Sequence, residues 1–367
     1  MALSSASKRI RLLILCTALP AALPALRADV VAADGAVGNR LYDSGTEGNP
    51  SVYLIGQDGP VTTGTDANVT WLGGSYDHLV VQNGSVYSSG GYVYVGQEAG
   101  EDHNLAHVTG GSTWNVRYDL YVGIGGSHNA LVVDGGSHVN ITDYGLHVGR
   151  YDSSYTGTSS YNTATVSGPG STLDAAQGII VGSAGSHNSL LVENGATVSA
   201  GYYTNIGSSG SDNNSLVITG AGSRFDSAES IQLANYGGAG NTITLTDGGL
   251  LVGEDGLSVG FNQNNFVNLN GGFLALAGDQ SWWINSFITN GAFRYWDGSA
   301  WVVGDASDFS FDYFDDEADA LAFSGYEGLG GYTLVTAPYL APVPEPAVCA
   351  ALAGLGVLAL AAWRRRR

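Results

Sequence analysis

Two columns of residues and one acidic run in this sequence have types and spacings that could support chemistry. A polar residue recurs as Asp77, Asn104, Asn129, Asn162, Asn188, Asn214, Asn241 and Asn265, at intervals of 27, 25, 33, 26, 26, 27 and 24 residues. An identical amide at one turn of successive repeats can hydrogen-bond along a stack, as asparagine ladders do. Calcium is the sharper reading, but it needs six to eight oxygens. The column offers one amide per repeat, and Asp77 is its only carboxylate. A structural ladder is the expectation.

The position just before the amide reads Tyr76, His103, His128, Tyr161 and His187 over five repeats. Stacked, these rings would form a stripe able to meet sugar rings, and His103 with His128 could share a metal ion. A metal site needs further ligands from another column, and none is evident, so no metal is assigned. Aromatic stacking that seals a turn is the plainer use. The acidic run Asp308, Asp312, Asp315, Asp316, Glu317 and Asp319 could recruit calcium or supply the carboxylate pair of a glycosidase. No glycine occupies the centre of an Asp-x-Asp-x-Asp loop there, and the run alternates with Phe309, Phe311, Tyr313 and Phe314. It reads as a strand or cap with a solvated face. No catalytic residue and no cofactor is assigned.

The elements that must position these residues form a repeat. VGIGGSHNAL at 122–131 and VGSAGSHNSL at 181–190 are nearly identical, and IGSSGSDNNSL at 206–216 is a close variant. Within a unit the apolar residues have period two in three short runs: Leu131 and Val133, Val139 and Ile141, Leu146 and Val148. Such alternation predicts strands with one face inward. Units close on an aliphatic residue followed by glycine, as in Val122-Gly123, Val148-Gly149 and Val181-Gly182, with Leu233-Ala234 a departure. Three strands in about 25 residues cannot bury a face alone, and a propeller blade needs more chain than that. The fold class is therefore all-β: a parallel β-solenoid of about eight coils with three short strands each. Proline agrees, since only Pro169 lies between Pro60 and Pro338 and ladder strands need their N–H groups.

Residues 29–76 are expected to form an N-terminal cap and first coil, 77–270 the solenoid repeats, and 271–342 an aromatic and acidic C-terminal cap. That last region loses the repeat and gains Trp282, Trp283, Trp296 and Trp301. It is too short for an outer-membrane translocator barrel. An insertion, Arg150 to Tyr161, interrupts one repeat with Ser and Tyr. It is either a place for grafted binding or a tolerated length change.

Composition narrows the class further. The 367 residues include 55 Gly without a Gly-X-Y period, and only 9 Pro, which excludes collagen. Hydrophobic residues at 44% exclude a typical disordered chain. A net charge of −20, with no Lys between Arg27 and the C-terminus, argues against nucleic acid or anionic lipid as the main partner. Both cysteines, Cys16 and Cys349, lie in terminal apolar segments, so the repeats carry no disulfide.

The two ends read as addresses. In residues 1–28, Lys8, Arg9 and Arg11 precede the apolar stretch Leu12 to Leu26, and Leu26-Arg27-Ala28 resembles a small-residue cleavage site. A secretory signal for the Sec translocon, cleaved after Ala28, is the expectation; cleavage after Ala33 is the second choice. At 343–367, Pro344, Glu345 and Pro346 precede an uncharged apolar run at 347–363 and then Arg364, Arg365, Arg366 and Arg367. A helix of that length spans roughly 25 Å, enough for a short transmembrane helix. The basic cluster would stay cytoplasmic.

These three parts, in this order, resemble the PEP-CTERM sorting tag. The resemblance implies recognition of Pro344, Glu345 and Pro346 by an exosortase, which removes the tail. It also implies a Gram-negative bacterium, transient anchoring in the inner membrane, and then the outer surface or the extracellular space. The repeats are similar to those of autotransporter passengers and adhesins. The expected function is an exported, anchored or released structural or adhesive protein of the surface or biofilm matrix, with exopolysaccharide as a possible partner, and not an enzyme. A β-helical polysaccharide hydrolase is the alternative. A lyase, which by resemblance wants a Lys or Arg, suits the sequence less. Ice binding is a minor alternative, because no column of Thr-x-Thr runs through the repeats.

Overall fold

In the coil that begins at Asn129, the strands Ala130–Val133, His138–Ile141 and Leu146–Arg150 turn Leu131, Val133, Val139, Ile141, Leu146 and Val148 inward, each at most 2% exposed. Each strand pairs in parallel, without offset, with its equivalents in the coils before and after: Val133 lies between Val108 and Val166. Repeated along the chain, this produces three sheets of twelve, eleven and nine strands among the described residues. The computed structural model describes residues 29–33, 40–41, 45–47, 50–65, 69–150, 158–260 and 263–340. Their architecture is a parallel β-solenoid of about nine turns. Counting by the polar column alone sees eight, because the turn that opens with Ser51–Ile55 joins the first sheet in parallel without it.

A single apolar cluster runs the length of the rod, from Tyr53 to Ala337. Burying each large side chain in it is worth about 1.5–3 kcal/mol. Trp114, Tyr87 and Phe225 are among its largest fully buried members. The Trp114 indole donates to Ser89 Oγ at 3.0 Å, so the buried N–H is satisfied. Pro169 sits in the turn between Thr163–Ser167 and Thr172–Ala175, off the ladders.

The glycine that ends each third strand has a geometric cause. Gly96, Gly123, Gly149, Gly182 and Gly207 have φ between +69° and +77°. A Cβ on any of them would lie 2.1–2.3 Å from the side chain of the asparagine two coils further on. Only glycine satisfies both conditions. Ala234 occupies the same corner at φ +56°, a strained conformation for a residue with a Cβ.

The stack stops by reversing direction. Phe273–Ala277 of the second sheet is met antiparallel by Tyr332–Thr336, which pairs antiparallel with Ser310–Phe314. The first sheet ends with Phe293–Trp296 and an antiparallel Trp301–Val303. Helix α1, Ser281–Thr289, lays Ile284, Phe287 and Ile288 on the end of the core. Helix α2, Glu317–Ser324, is capped by Asp316, whose side chain accepts from the Ala318 N–H at 2.7 Å. The edge strands Ser310–Phe314 and Trp301–Val303 are only five and three residues long, and short edges are poor templates for further pairing.

The corner geometry yields a contrast. Gly182→Ala should cost more than about 2 kcal/mol in denaturant unfolding, from left-handed strain plus displacement of buried Asn214. Ala234→Gly should stay within about 1 kcal/mol of the parent, because relief of strain offsets the glycine's added chain entropy. Equal losses at both positions would show that the asparagine does not set the corner.

Candidate functional site

Backbone and side-chain amides form a continuous chain at the corner before the first sheet. From Asp77 to Asn241, each residue of the column donates its backbone N–H to the Oδ1 of the next at 2.8–2.9 Å. From Asn162 onward the Nδ2 also donates to that Oδ1, at 3.1–3.3 Å. The amides are buried. Their Oδ1 atoms accept within the ladder.

The neighbouring rings stack with centroids 4.7–5.0 Å apart and planes within 4–18° of parallel. Tyr76, His103, His128, Tyr161 and His187 all have φ between +59° and +63°, and the column continues as Asn213, Gly240 and Asn264, also left-handed. This backbone suits His, Asn and Gly, whereas Tyr76 and Tyr161 adopt it against the usual preference of a bulky side chain. In-plane lone pairs of parallel rings do not converge on one ion. Ring faces between His103 and Tyr161 are covered by their neighbours, so the stripe offers a ligand mainly edges. Among the described residues no three His, Cys, Asp or Glu side chains converge.

The acidic run is spread over the cap. Glu317 accepts from the Gly328 and Gly330 N–H groups at 2.6 and 2.7 Å, and Asp308 from the Asp305 N–H at 2.9 Å. Backbone donors hold the Glu317 carboxyl below its ordinary range.

Sequence reasoning passed over two further columns. At the corner between first and second strands the Ser85 and Ser112 N–H groups donate to Ser112 and Ser137 Oγ at 3.2 and 3.1 Å, a buried hydroxyl ladder that Gly-Ser dipeptides signal. On the outer side of the third sheet, Trp71, Tyr94, Tyr121 and His147 lie in register. Tyr121 stacks on Tyr94 at 5.2 Å and on His147 at 4.9 Å. Asp119 accepts from the Tyr121 hydroxyl at 2.9 Å and the Gly145 N–H at 3.0 Å, and lies 3.3 Å from His147 Nε2. Arg150 donates to the Tyr121 oxygen at 3.2 Å. Burial holds the His147 pKa below its ordinary value despite the Asp119 contact. For Asp119, burial raises the pKa, but hydrogen bonds from His147, Gly145 and Tyr121 outweigh it and leave the carboxyl low. The signal was the single residue between inward aliphatics in LYVG and LHVG.

The outer side of the second sheet is concave. Two cavities of about 600 and 510 Å³ lie end to end on its outer side. The floor takes one residue from each coil: Ser88, Asn115, Asn140, Asp174, Ser199 and Asp226, in register. Local bonds order them, with Asn140 Nδ2 donating to Asn115 at 2.9 Å and Ser199 Oγ to Asp174 at 2.6 Å. Arg224 Nε is 2.8 Å from both Asp226 oxygens. Beside it the Tyr332 hydroxyl of the cap donates to Glu254 at 2.5 Å. Exposed Tyr144 and Tyr202 lie in the turns that follow the second-sheet strands. Asp174 and Asp226 are two rungs apart, roughly 10 Å at the usual strand spacing.

Residues 342–367 match the PEP-CTERM protein-sorting motif. No curated protein and no solved structure matches the chain. Fold and tag together define an exported β-solenoid, sorted to the cell envelope by an exosortase and held at the membrane by the tag. Pro344, Glu345, Pro346, Arg364 to Arg367, the helix expected at 347–363, and the 1–28 signal with Ala28 lie outside the described residues. Among the described residues no helix is long and apolar enough to cross a membrane.

Asn188→Ala removes the acceptor of the Asn162 N–H and should destabilise by about 1–3 kcal/mol, whereas Ser189→Ala on the outer face should change stability by less than about 0.5 kcal/mol. The pH dependence has a defined sign. The unfolded chain protonates His147 before the folded chain does, so stability should fall as pH drops below about 6.5, and fall again below about 4 as Asp119 is protonated. Half-buried His78, its pKa also lowered by desolvation, acts in the same upper window. His147→Gln should shallow the upper loss in melting curves taken from pH 7 to 5; an unchanged slope would exclude the pair as its source.

Proposed function

We propose that this protein is a structural and adhesive rod of the cell surface or extracellular matrix, and that it is not an enzyme. The observation that carries this reading is the groove on the second sheet, whose floor presents one hydrogen-bonding residue per coil at a constant rise. A polymer of hydroxyl-rich units with a repeat near one strand spacing fits such a floor, and a small substrate does not need it. Carboxylates of Asp174, Asp226 and Glu254 accept from hydroxyls and repel uronate groups, so a neutral polysaccharide is the preferred partner. Export through the Sec translocon, in a Gram-negative envelope, and release after tail removal complete the reading.

The first-sheet face gives little support to ice binding. Thr163 and Thr165, and Thr242 and Thr244, are paired outward residues, but Leu191 and Val217 separate them along the column.

Purified protein should bind neutral glycans from a panel and leave them intact, and Ser199→Trp, which fills the groove, should weaken binding by about tenfold or more, about 1.4 kcal/mol. Turnover of any glycan would favour a hydrolase using Asp174 and Asp226. Mass spectrometry of the mature C-terminus in the native host should find the chain cut near Pro344 to Pro346; a mature pool retaining Arg367 would overturn processing of the tag.

A further inference from the structure

The terminal cap exposes an aromatic surface that the solenoid does not use. On α1, Ile284, Phe287 and Ile288 face the core, while Trp282 and Trp283 face outward at 69% and 54% exposure. Their rings meet edge to face at 4.6 Å. Tyr339 and Leu340, at the end of the described chain, are 47% and 50% exposed. They leave from the same terminal coil: the Leu340 N–H donates to Asn270 Oδ1 at 3.0 Å, and the Gly271 N–H to the Ala337 carbonyl at 2.9 Å.

Position decides what meets this surface. Between Leu340 and the apolar run that begins at Ala347 lie six residues, which reach at most roughly 25 Å when extended. While the tag holds the chain in the bilayer, the terminal coil therefore lies close to the headgroups. Tryptophan and tyrosine collect at that depth, because their rings are apolar and carry one polar group. We propose that Trp282 and Trp283, with Tyr339 and Leu340 beside the exit of the chain, seat the cap on the headgroup region of the anchoring membrane. The chain's net charge of −20 makes this contact aromatic rather than electrostatic, and it favours zwitterionic over anionic lipid. Removal of the tail would leave only this weak contact, so the same surface would delay release of the rod. The proposal rests on anchoring by the tag and is independent of the groove.

The test uses the full chain in phosphatidylcholine vesicles and compares it with the Trp282→Phe/Trp283→Phe variant. Subtracting the two fluorescence spectra isolates the pair from the other five tryptophans. The expected difference emission is blue-shifted relative to water and quenched by lipids brominated near the headgroup more than by lipids brominated near the chain end. Water-like, unquenched difference emission from protein that still floats with the vesicles would overturn the docking while leaving anchoring intact. Failure to float would overturn the anchoring on which it rests. A blue shift that depends on protein concentration and not on lipid would assign the surface to a second copy, and would also overturn the proposal.

Discussion

The structure depends on an interlock of glycine and asparagine at one corner. The asparagine side chain of one coil lies over the bare Cα of a glycine two coils earlier and accepts the N–H of the asparagine between them. One amide thus fixes the relation of three successive coils. A slip of one residue would bury an N–H without an acceptor, at a cost of a few kcal/mol, and would turn the inward aliphatics outward. Register follows from this contact as much as from the core.

Much of the remaining design follows from having register fixed at the corners. The interior carries Val, Leu, Ile and an occasional aromatic residue in identical positions, and the hydroxyl ladder of Ser112 and Ser137 repeats the same logic at a second corner. Outward positions are then free to vary from coil to coil. The third face spends that freedom on a buried aromatic and charged network around Asp119. The second spends it on an open groove with a file of polar residues along its floor, which the cap meets at Tyr332 and Glu254. The cap ends sheet growth by antiparallel pairing and leaves Trp282 and Trp283 exposed.

Much of the architecture could be read from the chain because its signals are local and repeated. Alternation at Leu131, Val133, Val139 and Ile141 names the buried face, and the interval between amides names the coil. The functional features were less legible. The ring stripe from Tyr76 to His187 was legible as stacking that seals a turn, but no periodicity reports that the same position also adopts positive φ. Tyr121 and His147 each stand as a single residue between inward aliphatics, and nothing in the local pattern marks them as neighbours. The groove was invisible: Asn140, Asp174, Ser199 and Asp226 are unlike one another, and only stacking places them in one file.

By itself the sequence determined the repeat, the inward faces, the need to stack and the sorting tag, because each is written in the order of neighbouring residues or in a contiguous motif. The tertiary structure alone decided which outward residues share a surface, which amides meet, and which tryptophans of the cap stay exposed. The physical reason is the parallel ladder, which places residues some 25 positions apart at one strand spacing. A side chain's chemical neighbours there are the next coil's residues, and the intervening insertion or turn, not the distance in sequence, sets who they are.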